Sequence, residues 1–173
     1  MRAVELIRNV LTTNERFLER ALDGLTDADL LTRPNEESNP IGWLLWHQTR
    51  VEDATIAAIL RQPQVWVDQD WAKPLGMTAD VEDLGIGHTL DQVAAFRPRL
   101  DALSGYRQAV RERTLACLAT LTDDDLEGDI TIAGRGTGKA KDYLSGLTMD
   151  HTQHTGQVAY LRGYLKGKGW FPA

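Results

Sequence analysis

Four residues in two stretches of this chain are placed to do chemistry: His47 in WLLWHQTRVED, and Asp150, His151 and His154 in DHTQHTGQVAYLRG. In the second stretch Leu144, Leu147, His151, His154, Val158, Leu161 and Leu165 follow alternating steps of three and four, the seam of a helix packed in a bundle. In the first, Ile41, Leu44, His47, Val51, Ala54 and Ala58 do the same. The imidazoles thus stand where leucines belong. An unpaired buried polar group costs about 1–3 kcal/mol, so these residues need partners inside the fold. One shared metal ion satisfies them together.

Zinc accepts imidazole nitrogen and carboxylate oxygen, and a catalytic zinc site usually takes three protein ligands and keeps one position open. Residues three or four apart on a helix are neighbours, so one helix can supply two ligands and a facing helix the third. Asp150 and His154 are four apart; His151 and His154 are three apart. Helical geometry permits either pair. The seam favours His151, which replaces an apolar position, while carboxylate chemistry keeps Asp150 in the set. The expected cofactor is a divalent ion, zinc first, with nickel or another transition metal as alternatives. An HxxH spacing alone is unspecific; histidines on the seams of two separate helices are harder to explain without an ion.

Four long helical patterns must position these residues. The first spans Ala3 to Leu22, and the second is capped by Asn39, carries Pro40 at its first helical position and ends at Arg61 before Gln62-Pro63. The third runs from about Asp101 to Leu121 and the fourth from about Lys141 to Lys166, where Gly167 stops it. Strand signals are nearly absent: only Ile130-Thr131-Ile132 looks extended, too short to seed a sheet alone. An all-α four-helix bundle follows. Between the second and third helices a long crossover, Pro63 to about Thr89, reads as a lid or covering loop, and Thr89–Phe96 as a short helix. The stretches LDGLTDADL and LATLTDDDL echo one another, each with a capping threonine, Thr26 before Asp29 and Thr122 before Asp125.

The remaining features bound the function. At 173 residues the chain fits one domain, 1–173. A net charge of −6 and a pI near 5.2 argue against nucleic-acid binding. No apolar run approaches the roughly 20 residues needed to cross a bilayer, no signal peptide is visible, and the single cysteine forbids an internal disulfide. These point to the cytoplasm. Gly134-Arg135-Gly136-Thr137-Gly138-Lys139 is one residue short of a phosphate loop and reads as a flexible loop. Glu52 and Asp53 read as helix-surface charge, Trp43, Trp46, Tyr160 and Tyr164 as packing, Cys117 as a small buried residue, and His88 as a loop or helix-start residue.

The segment NPIGWLLWHQTRVED, the following RQPQVW and the segment DHTQHTGQVAYLRG together resemble the DinB-like superfamily of metal-binding four-helix bundles. The resemblance spans nearly the whole chain and implies a bundle with a long crossover between its second and third helices. Related branches include thiol-dependent transferases and isomerases, among them mycothiol-dependent maleylpyruvate isomerases. In such proteins one histidine of the second helix and two ligands four apart on the last helix hold a metal, often just before a GQ-containing stretch. Carried over, these fall on His47, Asp150 and His154, with aspartate at a position where histidine or glutamate is usual and with His151 as a competitor for it. The resemblance implies a divalent-metal-dependent enzyme acting on a small molecule with a low-molecular-weight thiol, either a transferase, an isomerase or a hydrolase, and a homodimer. The alternative is a stress-associated bundle that binds metal without turnover.

Overall fold

The fold is that of a computed structural model describing residues 2–167. Four long helices, α1 (Ala3–Leu22), α3 (Ile41–Leu60), α6 (Leu100–Thr120) and α7 (Ala140–Lys166), form the all-α bundle that the sequence predicts. Shorter pieces connect them: α2 (Asp27–Leu31), α4 (Val65–Asp68), α5 (Leu90–Ala95), a 3-10 turn at Asp125–Glu127, and a hairpin of β1 (Asp129–Ile132) and β2 (Gly136–Lys139). Gly167, at φ 72°, closes α7 as expected, its N–H bonding the Gly163 carbonyl at 2.9 Å. Pro40 sits one step outside its expected place. It is the extended residue before α3, and its carbonyl accepts the Leu44 N–H at 3.1 Å.

The apolar side chains gather in two clusters, and each long helix contributes to both. One holds Leu18 and Ala21 of α1, Ile41–Trp46 of α3, Leu103–Val110 of α6 and Val158 and Leu161 of α7. The other holds Val4 and Leu11 of α1, Val51–Ile56 of α3, Cys117 and Leu118 of α6, and Leu144 and Leu147 of α7. The order along each helix fixes direction: α3 and α6 run one way, α1 and α7 the other. Parallel α3 and α6 explain the long crossover, because the chain must return the length of the bundle before α6 can begin. Between the clusters lies a polar belt contributed by all four helices, including Asn14, His47, Gln48, Glu52, Arg111, Asp150, His151 and His154. The candidate ligands fall in this belt.

The crossover is strapped to α3 rather than loose. Arg50, fully buried, donates to the carbonyls of Asp80 (3.0 Å) and Asp83 (3.1 Å) and to Gln64 Oε1 (2.8 Å). The buried Asp53 carboxylate accepts the N–H groups of Val65 and Trp66, both at 2.8 Å, capping α4 from the side. Each charged group spends its bonding capacity on backbone that would otherwise be orphaned. Of the two anticipated roles, covering loop is the one seen.

Two local expectations are corrected. The glycine-rich run before α7 is the second strand of a hairpin, not a flexible loop: Asp129 pairs with Lys139, Thr131 with Thr137 and Ile132 with Gly136. Cross-strand contacts hold it, Thr131 and Thr137 hydroxyls meeting at 2.7 Å, while Ile132 is buried in the second cluster. The sequence echo is real in its caps and diverges afterwards. Thr26 N–H donates to Asp29 and Thr122 N–H to Asp125, each at 2.8 Å, with the reciprocal bond back to the threonine hydroxyl. The first cap opens α2, the second only a 3-10 turn.

Candidate metal centre

Helix α3 brings His47 to the belt, and α7 brings Asp150 and His154 on one face, a turn apart. Asp150 Oδ1 lies 3.3 Å from Nε2 of His47 and 3.3 Å from Nε2 of His154. The two imidazoles stand at right angles with ring centroids 4.9 Å apart. One donor atom from each of the three residues lies within 4.8 Å of the other two.

The outer nitrogens of both rings are engaged. His47 Nδ1 bonds the backbone carbonyl of Leu84 in the crossover, and His154 Nδ1 bonds Gln157 Oε1 at 2.7 Å. Both partners are acceptors, so each Nδ1 carries the proton and each Nε2 turns a lone pair toward Asp150. Three electron-pair donors therefore converge, and they repel one another unless a positive centre sits among them. The second carboxylate oxygen, Asp150 Oδ2, is buried with no hydrogen-bond partner among the described residues. Two neutral imidazoles and one carboxylate are also the donor types that suit zinc and its neighbours. The residues fit a divalent cation. Where a proton rather than a cation sits on the Nε2 atoms, burial of Asp150 acts to raise its carboxyl, but hydrogen bonds and charge from His154 and His47 then outweigh it and hold it well below the usual range.

Further residues fix His47. Trp43 stacks face to face on its ring, centroids 4.9 Å apart and planes 9° from parallel. Trp43 Nε1 donates to His88 Nδ1 at 3.2 Å, and His88 Nε2 in turn donates to Asp83 Oδ1 at 2.8 Å. His88 is thus committed at both nitrogens and packs against Trp46. Gly85, at φ +81°, lets the crossover close over this stack, since a Cβ there would lie 2.7 Å from Trp46 and 2.8 Å from Trp43.

A family model described as the DinB superfamily matches residues 11–158. The chain belongs to the DinB superfamily. Its fold is also that of a conserved protein from Enterococcus faecalis, a crystal structure with TM-score 0.84 and 24% identity over 97% of this chain and 99% of that one. A comparison with curated proteins gives no match.

Within this DinB-superfamily bundle the four candidate ligands divide into three and one. His47, Asp150 and His154 come together. His151, carried as a competing third ligand, turns away: its Nε2 lies 3.2 Å from Glu52 Oε2 and its Nδ1 3.5 Å from Arg111 Nη2. One residue is about 100° of helical rotation, enough to carry His151 from the open side of the bundle to its closed interior. Glu52 and Asp53 are themselves buried, not on the helix surface. Burial acts to raise the Glu52 carboxyl, but Arg111 at 3.0 Å and His151 outweigh it and hold the group at about 2. No neighbour in the sequence marks Glu52 and Asp53 as buried, because their partners, Arg111 and the backbone of Val65 and Trp66, lie farther along the chain. Tyr160 and Tyr164 are corrected in the other direction; they are 73% and 60% exposed. Cys117 is buried as expected, and burial pushes its thiol up to about 11.

The side chains of Asp150 and His154 keep 19% and 17% of their surface, so the cluster is open on one side. Next to it lies a cleft of about 630 Å³ between the loop that leads into α3 (residues 34–39), together with Leu44, and the C-terminal half of α7. Leu44, one turn before His47, and Gln157, the partner of His154, stand in its wall.

Proposed function

We propose that this protein is a divalent-metal-dependent enzyme acting on a small molecule, with zinc held by Nε2 of His47, a carboxylate oxygen of Asp150 and Nε2 of His154. The observation that carries the reading is the pair of pinned imidazoles. The Leu84 carbonyl and Gln157 Oε1 accept hydrogen bonds from the Nδ1–H groups, and both Nε2 atoms are thereby aimed at one carboxylate. Such second partners fix tautomer and ring orientation at metal sites. Three ligands and one open side match a catalytic rather than a closed structural site.

Bound there, the ion supplies Lewis acidity, lowering the pKa of a thiol or a water brought to its open side. The chain's own residues do the rest. Trp43 and the crossover shield His47 from water, Asp150 offsets part of the ion's charge, and the neighbouring cleft receives the molecule to be changed. Thiol-dependent transfer or isomerisation is the favoured reaction class, hydrolysis the next, in a cytoplasmic homodimer. The open side and adjoining cleft favour turnover over the alternative of a metal-binding bundle without catalysis.

Elemental analysis of protein purified without added metal, repeated on His47→Ala and His154→Ala, tests the site. One ion per chain in the parent and its loss in both variants is expected; metal retained in both variants removes the site. For turnover, a panel of thiols with electrophiles is expected to give product formation that a chelator abolishes. Undiminished turnover after the ion is stripped defeats the mechanism.

A further inference from the structure

The cleft beside the metal centre differs in chemistry from the rest of the surface. One residue in four of the chain is charged, and the comparable groove between α1 and α6 is lined by Glu15, Glu19, Asp23, Arg107, Arg111 and Glu112 among others. None of the ten residues lining the metal-side cleft carries a formal charge. Its polar groups are carboxamides and hydroxyls: Asn35, Asn39, Gln153, Gln157, Ser38 and, on the rim, the exposed Tyr160. Resting on the metal-centre reading above, we propose that this cleft binds an uncharged, hydroxyl- or amide-bearing part of the substrate and discriminates against anionic molecules.

Carboxamides can both donate and accept, so they satisfy hydroxyl and amide groups whichever way those point. A carboxylate entering the same cleft sheds its water and meets no cation among the lining side chains; Arg33, next to the lining Pro34, is engaged by the carbonyls of Ser38 and Glu36. Glu36 and Glu37, exposed on the loop that carries Asn35 and Ser38, add a repelling field. Gln157 couples cleft to centre: its Oε1 accepts from His154, which leaves its amide N–H groups for a ligand. The volume suits a molecule of metabolite size, and the Tyr160 ring offers a flat apolar face at the rim.

The test compares two thiols that differ only in charge, N-acetylcysteinylglycine amide and N-acetylcysteinylglycine, by titration calorimetry against full-length protein whose zinc content has first been measured. The uncharged thiol is expected to bind the loaded protein at least tenfold more tightly. Gln153→Arg, which adds a cation to the cleft and leaves the three ligands in place, is expected to bring the anionic thiol at least to parity. Equal affinities in the wild type, tighter binding of the anion, no binding of either thiol, or an unchanged ratio in Gln153→Arg overturns the inference. A protein that holds no zinc strikes down the metal centre and the inference with it; a fully loaded protein without preference strikes down the inference alone.

Discussion

His47 and Leu84, 37 positions apart in the chain, are joined by a hydrogen bond from the imidazole Nδ1 to the backbone carbonyl. The crossover therefore does more than return the chain to the start of α6. Arg50 holds it at the carbonyls of Asp80 and Asp83, Asp83 holds His88, and His88 accepts from the indole that stacks on His47. A candidate metal ligand on one helix is thus oriented by a segment that belongs to no long helix.

Gly85 is the point where that arrangement is least tolerant. Its positive φ and its approach to Trp43 and Trp46 leave no room for a methyl group. Gly85→Ala is expected to cost about 2–5 kcal/mol, combining backbone strain with overpacking. Zinc affinity should also fall, because relief of the clash moves Leu84. Urea unfolding and competition with a chromophoric chelator measure the two effects; unchanged values in both would show that the crossover does not orient His47.

Gln157 separates orientation from stability. It is exposed, and its one side-chain hydrogen bond among the described residues is with His154 Nδ1. Gln157→Ala is expected to weaken zinc binding by about 10- to 100-fold while leaving the unfolding midpoint of the metal-free protein unchanged. Gln157→Glu, which keeps an acceptor at that place, should recover most of the affinity. An alanine variant that binds zinc like the parent would mean that His154 needs no outer partner.

Much of this was legible in the sequence because helical periodicity is a local property. The bounds of α1 and α7, the caps at Thr26 and Thr122, and the placing of His47 and His154 on buried seams all follow from neighbours a few residues away. Asp150 and His151 could not be separated by spacing alone, since both reach a neighbour of His154. The structure separates their surroundings by what α3 and α6 present to each, the His47 ring on one side and Glu52 with Arg111 on the other. The burial of Glu52 and Asp53 was equally out of reach. A carboxylate reads as surface until its partners are known, and these are supplied by Arg111, 59 positions on in the case of Glu52, and by the α4 backbone in the case of Asp53. The hairpin escaped because its second strand is mostly glycine and lysine, with no apolar alternation to mark it.

Removing the ion should lower thermal stability without unfolding the bundle. The two apolar clusters lie to either side of the polar belt and do not depend on the ion. A ligand that binds only the folded state, at a hundred times its dissociation constant, adds about 2.7 kcal/mol, or roughly 5–10 °C for a chain of this size. Differential scanning calorimetry with zinc and with chelator is expected to show a shift of that order, with full helical circular dichroism in both. No shift, or loss of helix with chelator, contradicts the arrangement.

Glu52 sets a pH dependence of its own. Its folded carboxyl is held at about 2 against an ordinary 4.5, so in the acid range the unfolded chain binds the proton more readily than the native one. The stabilisation is complete above about pH 4.5 and is lost as pH falls toward 2. Glu52→Gln removes that titration, and stability measured by urea unfolding in chelator should fall less steeply with acid than in the parent. Glu52→Ala, which leaves His151 without its carboxylate and Arg111 with the longer contact to Glu15 at 3.5 Å, is expected to cost about 3–5 kcal/mol at neutral pH. His151→Ala, by contrast, should still bind one zinc per chain, because His151 faces Glu52 and not the converging nitrogens of His47 and His154. Loss of zinc in that variant, with the helical spectrum intact, would return His151 to the ligand set.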